Sequence, residues 1–597
     1  MSPFTIITML LNRLICLLSI TSLLFNSNNL SAQSLTSINA IQGQKSISSM
    51  VDEQVIIEGI VTANFQNDKS FAGFFVQSKG GNSKQESHGI FVYESRTQIK
   101  TGDLVSVTGI VSEHNGVTQV SKVKSIKVLK HNQKLPKATS IDLPLKGLNL
   151  ESLEGMRVTL TQPAIITDHY NYIKYGEFVV SSKILMVPTN SASPGEKIKN
   201  ILKQNSDDRL LIDDGNFSQF TQYDKINTKT PIHIGAKVQI VGIMHYAFDK
   251  YRIELTEPVK FLKSPYPKQS KPTAIDGDVK IASFNVKNYF TTLDNGKEIC
   301  GPKKNFGCRG ADSKQEFIRQ QGKLVSAINT ADADIYALQE IENNKDTLKT
   351  LVAALNKAAK KEVWQYIKTG TLGEDVIRVG LIYQSNKVTP NGNFKVLDPK
   401  SLPDFEAEKH RDVLLQTFKD ANNNLFNIAV LHLKSKRCTD AVGADKDQND
   451  GQGCYNTSRV KVAQQISDWL EQDPTGHKAA ATLVVGDFNS YLKEDPISLF
   501  AKNGLKNLSH DFLIAENWTS IFRGEVGSID HILVNKSARK AAKDMTQWHI
   551  NSIETGWFDY NLEDLTKGKK KPKNYYQPNP FSSSDHDMVI AGFTFGN

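Results

Sequence analysis

The rhythm of apolar and polar positions changes several times along this chain. Residues 14–25, LICLLSITSLLF, are a predominantly apolar, uncharged run of 12 positions following Arg13. A run of that length is too short to cross a bilayer. Polar residues Asn26–Asn29 follow, then LSA before Gln33, so a signal peptide over residues 1–32 is predicted, with an uncleaved anchor as the alternative. From 50 to 130 the pattern alternates with period two, in VDEQVIIEGIVTANF, AGFFVQ, GIFVYES, GDLVSVTGIVSEHNGVTQV and KSIKVLK. Glycines and Asn115-Gly116 supply turns, and no helical spacing interrupts them. A small closed or nearly closed barrel over 33–150 is predicted. GDLVSVTGI at 102–110 is echoed by GAKVQIVGI at 235–243, and LEGMRVTL at 153–160 opens the echo, which predicts a second β module of similar type over 151–262. KSPYPKQSKPTAIDGD, with three prolines, reads as a linker over 263–278.

Past residue 278 strands and helices mix. VKIASFNV, ADIYALQEI, VIRVGLIY, NLFNIAVLHLKS, ATLVVGDFNS, SIDHILVN and MVIAGFTF are apolar strands, while QEFIRQQGKLVSAINT and DTLKTLVAALNKAAK carry apolar residues at helical spacing. An α/β domain over 279–597 is predicted. The total of 597 residues exceeds what one hydrophobic core covers, about 250–300 residues. With 39% hydrophobic and 23% charged residues, disordered and collagen-like classes are excluded. The net charge of +9 permits a polyanionic partner without requiring one.

Cysteine usage sharpens the compartment. Cys16 lies in the leader, leaving Cys300, Cys308, Cys438 and Cys454. Four cysteines allow three full pairings, of which the short-range pairs 300–308 and 438–454 are favoured. An exported protein meets an oxidising compartment where such bonds persist. No other apolar run is long enough to span a membrane, so the expectation is a secreted or periplasmic monomer without stable membrane insertion.

Candidate chemistry gathers at strand ends, where a side chain is held rigidly at the rim of a sheet. Asn285 follows IASF, Glu340 follows ADIYALQ, His432 follows FNIAVL, Asp487 and Asn489 follow ATLVVG, Asp530 follows GSI, and Asp585 and His586 precede MVIAGF. Glu340, Asp585 and Asn285 are hard oxygen donors suited to Mg2+, Mn2+ or Ca2+ and not to zinc. A hard divalent ion beside histidines and a forked arginine, Arg378, suits a phosphate ester. His586 with Asp530 is the candidate histidine–carboxylate pair.

GDFN at 486–489, LQE at 338–340, SIDHI at 528–532 and SDHD at 584–587 resemble the endonuclease/exonuclease/phosphatase (DNase I-like) superfamily. The layout as a whole resembles secreted bacterial nucleases in which an OB-type module precedes the catalytic domain. The resemblance implies a four-layered α/β sandwich at the carboxy terminus, preceded by one or two small all-β, OB-like modules. It implies metal ligation by Asn285, Glu340 and Asp585, and phosphate and water positioning by Asp487 and Asn489. Arg378 and His432 would contact the scissile phosphate, and His586, oriented by Asp530, would be base or phosphate ligand. The implied cofactor is Mg2+ or Mn2+, and the implied partner is DNA or another nucleic acid.

The sequence departs from the pattern once. Where a glutamate should support the first histidine, it reads KTGTLGEDV, leaving Glu374 or Asp375 as substitutes for a relay at His432. Two inserts, 291–312 and 437–457, carry the cysteines. The second contains DKDQNDG, in which Asp445, Asp447 and Asn449 approach a calcium-loop spacing, against a plain solvated loop. KGKKKPKNYYQPNP at 567–580 offers Lys569, Lys570, Lys571 and Tyr575 for DNA phosphates and a base, against a solvated basic loop. The leading expectation is a secreted metal-dependent deoxyribonuclease. A phosphatase or phospholipase-type enzyme using the same site and a non-enzymatic adhesin are the rivals.

Overall fold

The computed structural model describes residues 34–81, 83–220, 225–226, 232–513, 517–561 and 576–596. The leader at 1–32 lies outside the described residues. Among the described residues no helix is long and apolar enough to cross a membrane. The chain divides into two compact units, one of residues 1–137 with 151–156, the other of residues 138–150 with 157–597.

The first unit is built on a closed five-stranded barrel. Gln54–Phe65 pairs with Gly73–Gln77, then come Gly89–Val92, Val117–Lys130 and Leu104–His114, which closes on the first strand. Alternation does the work expected of it. Val105, Val107 and Val111 of one strand point inward and meet Val55, Ile57, Phe74, Val76 and Ile90. Gly89 and Gly155 let two backbones touch: a Cβ at Gly89 would lie 2.2 Å from the Gly155 carbonyl. That contact ties 151–156 to the barrel, so the boundary expected at 150 falls instead at 137, with a short returning segment.

The second module does not repeat the barrel. Residues 139–262 form a nine-stranded sheet in the order Lys260–Leu262, Lys237–Gln239, Ala164–Asp168, Phe178–Ser181, Leu210–Asp213, Lys250–Leu255, Val241–Ala247, Arg157–Leu160 and Thr139–Ile141. The echoed GAKVQIVGI is split between two strands of that sheet that are not neighbours, whereas GDLVSVTGI falls within one barrel strand. The shared period of two encodes a half-buried strand, not a topology. Nor is 263–278 a free linker. Lys268 Nζ pairs with Glu554 at 2.6 Å, and the Gln269 carbonyl accepts from Trp548 Nε1 at 2.9 Å.

From 279 onward two sheets pack face to face. The six-stranded sheet runs Trp364–Tyr366, Ile377–Gln384, Ile335–Glu342, Val279–Tyr289, Met588–Phe593, Ala542–Trp548. The seven-stranded sheet is centred on Val413–Lys419, Leu425–His432, Ala481–Asp487 and Asp530–Val534. Ile281, Ala337, Val379 and Leu381 of one sheet meet Ile428, Val430, Leu483 and Ile532 of the other. Helices Lys314–Ala331 and Thr347–Ala359 cover the outer face of the first sheet through Leu324, Ile328, Leu351 and Leu355. Helices Asn456–Glu471 and Asp495–Lys502 cover the second through Val462, Ile466 and Phe500. Burial on both faces explains why these strands are continuous apolar runs. The Lys314–Ala331 helix starts where Ser313 Oγ accepts the Glu316 amide at 3.3 Å and Glu316 Oε2 reaches back to the Asp312 amide at 3.2 Å.

Candidate active site

Strand register assembles half of the site. Leu425–His432 runs parallel to Ala481–Asp487 with His432 opposite Asp487, and Asp530 lies opposite Asp487 on the antiparallel side. His432, Asp487 and Asp530 therefore form a row across three neighbouring strands. His432 Nε2 lies 3.4 Å from Asp487 Oδ2. The Asn489 amide donates to Asp487 Oδ1 at 2.8 Å, from a left-handed residue with φ 46°. Such a turn, sparsely populated outside glycine, concentrates at functional sites. Burying Leu483, Val484 and Val485 contributes about 1.5–3 kcal/mol each. That anchorage lets the strand carry a buried carboxylate at its end, whose desolvation costs several kcal/mol.

The other half comes from the six-stranded sheet. Asn285 Nδ2 donates to Glu340 Oε1 and to Asp487 Oδ2, each at 3.2 Å, and so bridges the two sheets. Glu340 sits at φ 60°, where the pairing of its strand shifts register on both sides. Its Oε2 accepts the Asn288 amide at 3.1 Å. Ser584 Oγ donates to the Asn285 carbonyl at 2.7 Å, which docks the SDHD turn against the same strand. From that turn His586 Nδ1 meets Asp530 Oδ2 at 2.8 Å, while its Nε2 faces Asp487 Oδ2 at 3.9 Å.

The electrostatics are those of too many acids for the cations present. Burial, and then the Asp585 charge, push the Glu340 carboxyl up. Burial raises Asp487 to about 7, with Asp530 and Glu340 adding to the effect and His586 opposing it. Burial alone would raise Asp585 and lower His586, but the His586 charge reverses the first and the hydrogen-bonded Asp530 carboxylate the second. Lys287 helps hold Asp585 below its usual range, and Asp530 and Asp487 help hold His586 well above its own. Burial and the Arg411 charge keep His432 neutral. A hard divalent cation would relieve this excess. The oxygens of Glu340 and Asp585, the latter reaching solvent at the rim, suit one by charge and donor type. Among the described residues, Asp487, Asp530 and His586 also bring potential ligand atoms within 4.8 Å of one another. We favour the former pair, because a protonated His586 that donates to Asp530 has no lone pair there for a metal.

Arg378 does not join the cluster. It is buried at the sheet edge, where its guanidinium donates to Thr369 Oγ1 at 3.2 Å and to the Val379 and Asn344 carbonyls at 3.1 Å each. The arginine whose charge acts on Glu340 and His432 is Arg411, held by Asp375 at 2.8 Å and donating to the Leu433 carbonyl at 3.3 Å. Sequence reasoning missed it by searching the carboxyl ends of strands. Arg411 precedes its strand, and antiparallel pairing with Leu425–His432 carries that amino end to the same rim. Neither substitute supports His432, because Asp375 holds Arg411 and Glu374 pairs with Lys303. His432 Nδ1 is buried without a hydrogen-bond partner among the described residues. Lys287 was also missed. It pairs with Asp559 at 2.6 Å, and its FNVKN context placed it beside Asn285 in plain view.

The calcium-loop spacing does not converge. Asp445 accepts the Ser458 amide at 3.0 Å and hydroxyl at 2.6 Å and pairs with Lys409 at 3.1 Å. Asp447 caps its own turn by accepting the Asn449 amide at 2.8 Å. The disulfides Cys300–Cys308 and Cys438–Cys454 form as expected. Lys569, Lys570, Lys571 and Tyr575 lie outside the described residues. His531 turns away from the row, with Nε2 on the Ser490 carbonyl at 2.8 Å.

A two-sheet α/β domain with an acid–histidine cluster at the strand ends, where its sheets meet, defines the class. The chain belongs to the Endonuclease/Exonuclease/phosphatase family, whose model matches residues 283–586. A second model, described as a domain of unknown function (DUF8508), matches residues 130–264. Among solved structures, an endonuclease/exonuclease/phosphatase family protein from Bacteroides thetaiotaomicron is 16% identical, covering 54% of this chain and 98% of that one, with a TM-score of 0.34. The mannosyl-6-phosphatase of Bacteroides thetaiotaomicron VPI-5482 is 15% identical, covering 53% and 100%, at 0.34. The human Nocturnin catalytic domain with bound sulfate anion is 18% identical, covering 54% and 97%, at 0.33. No curated protein matches the chain.

Proposed function

We propose that this chain is an exported, divalent-metal-dependent phosphodiesterase that hydrolyses nucleic acid, DNA in the first instance. The observation that carries the reading is the Asn285 bridge, which sets Glu340 of one sheet against Asp487 of the other. Glu340 and Asp585, with Asn285, would hold the cation. When bound, the ion supplies charge that neutralises phosphate oxygens and the leaving oxygen. The chain's own residues do the rest. Arg411, fixed by Asp375, offers a forked donor to the phosphate. His432 lies beside it as a positional contact. Asp487, whose pKa near 7 suits proton transfer at neutral pH, takes the proton of an attacking water, and Asn489 orients that water. The water oxygen bonds to phosphorus as the phosphodiester P–O bond breaks. His586, kept protonated and oriented by Asp530, donates from Nε2 to the departing oxygen.

The helix–sheet–sheet–helix layering supports a four-layered DNase I-like sandwich. The closed barrel, in strand order first, second, third, fifth, fourth, supports an OB-type module able to contact nucleic acid. The leader pattern and two disulfides support export. The test is supercoiled plasmid DNA incubated with the full chain and Mg2+ or Mn2+. Nicking or linearisation that a chelator abolishes is expected. Intact DNA alongside rapid hydrolysis of a phosphomonoester would transfer the same site to a phosphatase.

A further inference from the structure

The module of residues 138–262, which adds helix Glu196–Asp207 to its nine-stranded sheet in place of the all-β module expected, touches the segments that flank the site strands. Met186 makes a parallel bridge to Val526, with the Val187 amide on the Val526 carbonyl at 2.9 Å and the Val526 amide on the Leu185 carbonyl at 2.8 Å. Val526 opens the segment that runs into Asp530. Asn190 uses both ends of its amide on that segment and its neighbour. Its Oδ1 accepts the Ser528 amide at 3.0 Å, and its Nδ2 donates to the Asn517 carbonyl at 3.1 Å. Between those points Thr519 Oγ1 accepts the Asp530 amide at 3.2 Å, and the Thr519 carbonyl accepts the Asp587 amide at 2.7 Å. Asn190 thus brackets the backbone that presents both Asp530 and His586.

A second brace acts on the segment between the Ala481–Asp487 strand and helix Asp495–Lys502. Thr189 Oγ1 donates to Glu494 Oε1 at 2.8 Å, and the Thr189 carbonyl accepts the Lys493 amide at 3.0 Å. These residues close the loop that leaves Asp487 and Asn489. Thr189, Asn190, Ser528 and Glu494 are all buried, so none of these bonds competes with water.

We propose that the Met186–Asn190 turn is a positioning element of the active site, with Asn190 its principal residue, and that the module belongs to the catalytic machinery instead of serving as a detachable adaptor. The proposal rests on the phosphodiesterase reading above. The turn's contacts land on Asn517, Val526 and Ser528, which lead into Asp530, and on Lys493 and Glu494, which follow Asp487 and Asn489. Of the proposed metal oxygens, those of Glu340 lie on the six-stranded sheet, and the turn that carries Asp585 is docked on that sheet separately by Ser584 on the Asn285 carbonyl. Loss of the brace should therefore slow chemistry while sparing metal binding and ground-state affinity, because a displacement of about 1 Å in a catalytic group can lower rate about a hundredfold.

The test uses the full chain with bis(p-nitrophenyl) phosphate and Mn2+. Asn190→Ala is expected to lower kcat by about ten- to a hundredfold with KM and Mn2+ affinity within about twofold of wild type. Thr189→Val should give a smaller loss that Thr189→Ser, which keeps the hydroxyl, restores. Unchanged kcat in Asn190→Ala overturns the proposal, and so does a joint loss of kcat, KM and Mn2+ affinity, which would mark general loosening. Should Asn190→Ala lack a cooperative melt, the Thr189 pair decides, and wild-type kcat in Thr189→Val overturns it. A wild-type chain that cleaves no phosphodiester with any metal sinks the functional reading instead. Positioning is then read from amide hydrogen exchange at 528–530, which Asn190→Ala should speed about tenfold, and unchanged exchange would refute it.

Discussion

Two buried ionic clusters in this chain make opposite use of similar residues. In the nine-stranded module Arg252 is almost fully buried and donates to Glu177 at 2.6 Å, to Asp213 at 2.7 Å and to the Ala247 carbonyl at 2.8 Å. Glu254, which lies 3.3 Å from His245, is 0% exposed. Burial pushes Asp213 to about 7 and Glu254 to about 8, and lowers His245 to about 3. At the junction of the two sheets Glu340, Asp487, Asp585 and His586 are shifted as well, yet Asp585 is exposed and Glu340 and His586 are half-buried. The first cluster carries its own guanidinium and is sealed. The second opens to solvent and, among the described residues, sets the four carboxyls of Glu340, Asp487, Asp530 and Asp585 against the charges of His586, Lys287 and Arg411. Perturbed ionisation alone therefore does not mark chemistry. Access for a substrate and an unfilled demand for positive charge do.

The contrast breaks first at His586. His586→Ala is expected to lower kcat on DNA by about a thousandfold when assayed well below its own melting temperature. Glu254→Gln should leave kcat within about twofold. An equal loss from both substitutions would erase the distinction between sealed and open clusters. Arg252→Met tests the other side. Removing one partner of a buried ionic network typically lowers stability by about 3–5 kcal/mol. Urea titration should show that loss in Arg252→Met, with a smaller shift in Arg411→Ala.

A third experiment separates two arginines. Arg411→Ala should lower kcat/KM by about a hundredfold, the loss of one preorganised donor to developing charge. Arg378→Ala should instead lower stability by about 1–3 kcal/mol, through the carbonyls it leaves without a donor. If Arg378→Ala were the inactive variant with normal stability, the assignment by electrostatic proximity would fail.

Much of this site was readable because polar residues ended apolar strands. Asn285, Glu340, His432, Asp487, Asp530, Asp585 and His586 are all drawn together, and the short-range disulfide pairs form. Arg411 escaped because a one-dimensional scan does not reveal strand direction, and the direction of Val413–Lys419 is set by pairing with Leu425–His432. Arg378 looked suitable for the converse reason. Its forked donor was visible, but not the three oxygens that occupy it. The nine-stranded sheet was illegible from its echo with the barrel, since alternation reports which face is buried and not which strand lies alongside. The tie from Asn190 to Ser528 spans 338 positions and leaves no local signature.

The smallest effect expected comes from pH, and it again weighs the two clusters against each other. Asp213, Asp214 and Asp487 at about 7 and Glu254 at about 8 all lie above their usual range. A carboxyl that holds its proton more tightly in the folded state contributes stability that is full at acid pH and lost as pH rises through the folded value. His586, raised by Asp530, has the same sign. His245, at about 3, and His531, at about 4, have the opposite sign, but their contribution is lost only as pH falls below about 6.5. Between pH 6.5 and 7 all these carboxyls and His586 act together, and from 7 to 8 Glu254 and His586 continue, so the melting temperature of the metal-free chain should fall across that window, most steeply below pH 7. Glu254→Gln should make the slope shallower by up to about one proton without touching the site. Saturating Mg2+ should flatten the remainder that comes from the open cluster, because a cation at Glu340 and Asp585 favours their ionised forms. A melting temperature that stays level or rises from pH 6.5 to 8 in the metal-free chain would show that both clusters keep their charges in the folded state, and the contrast between them would then rest on access alone.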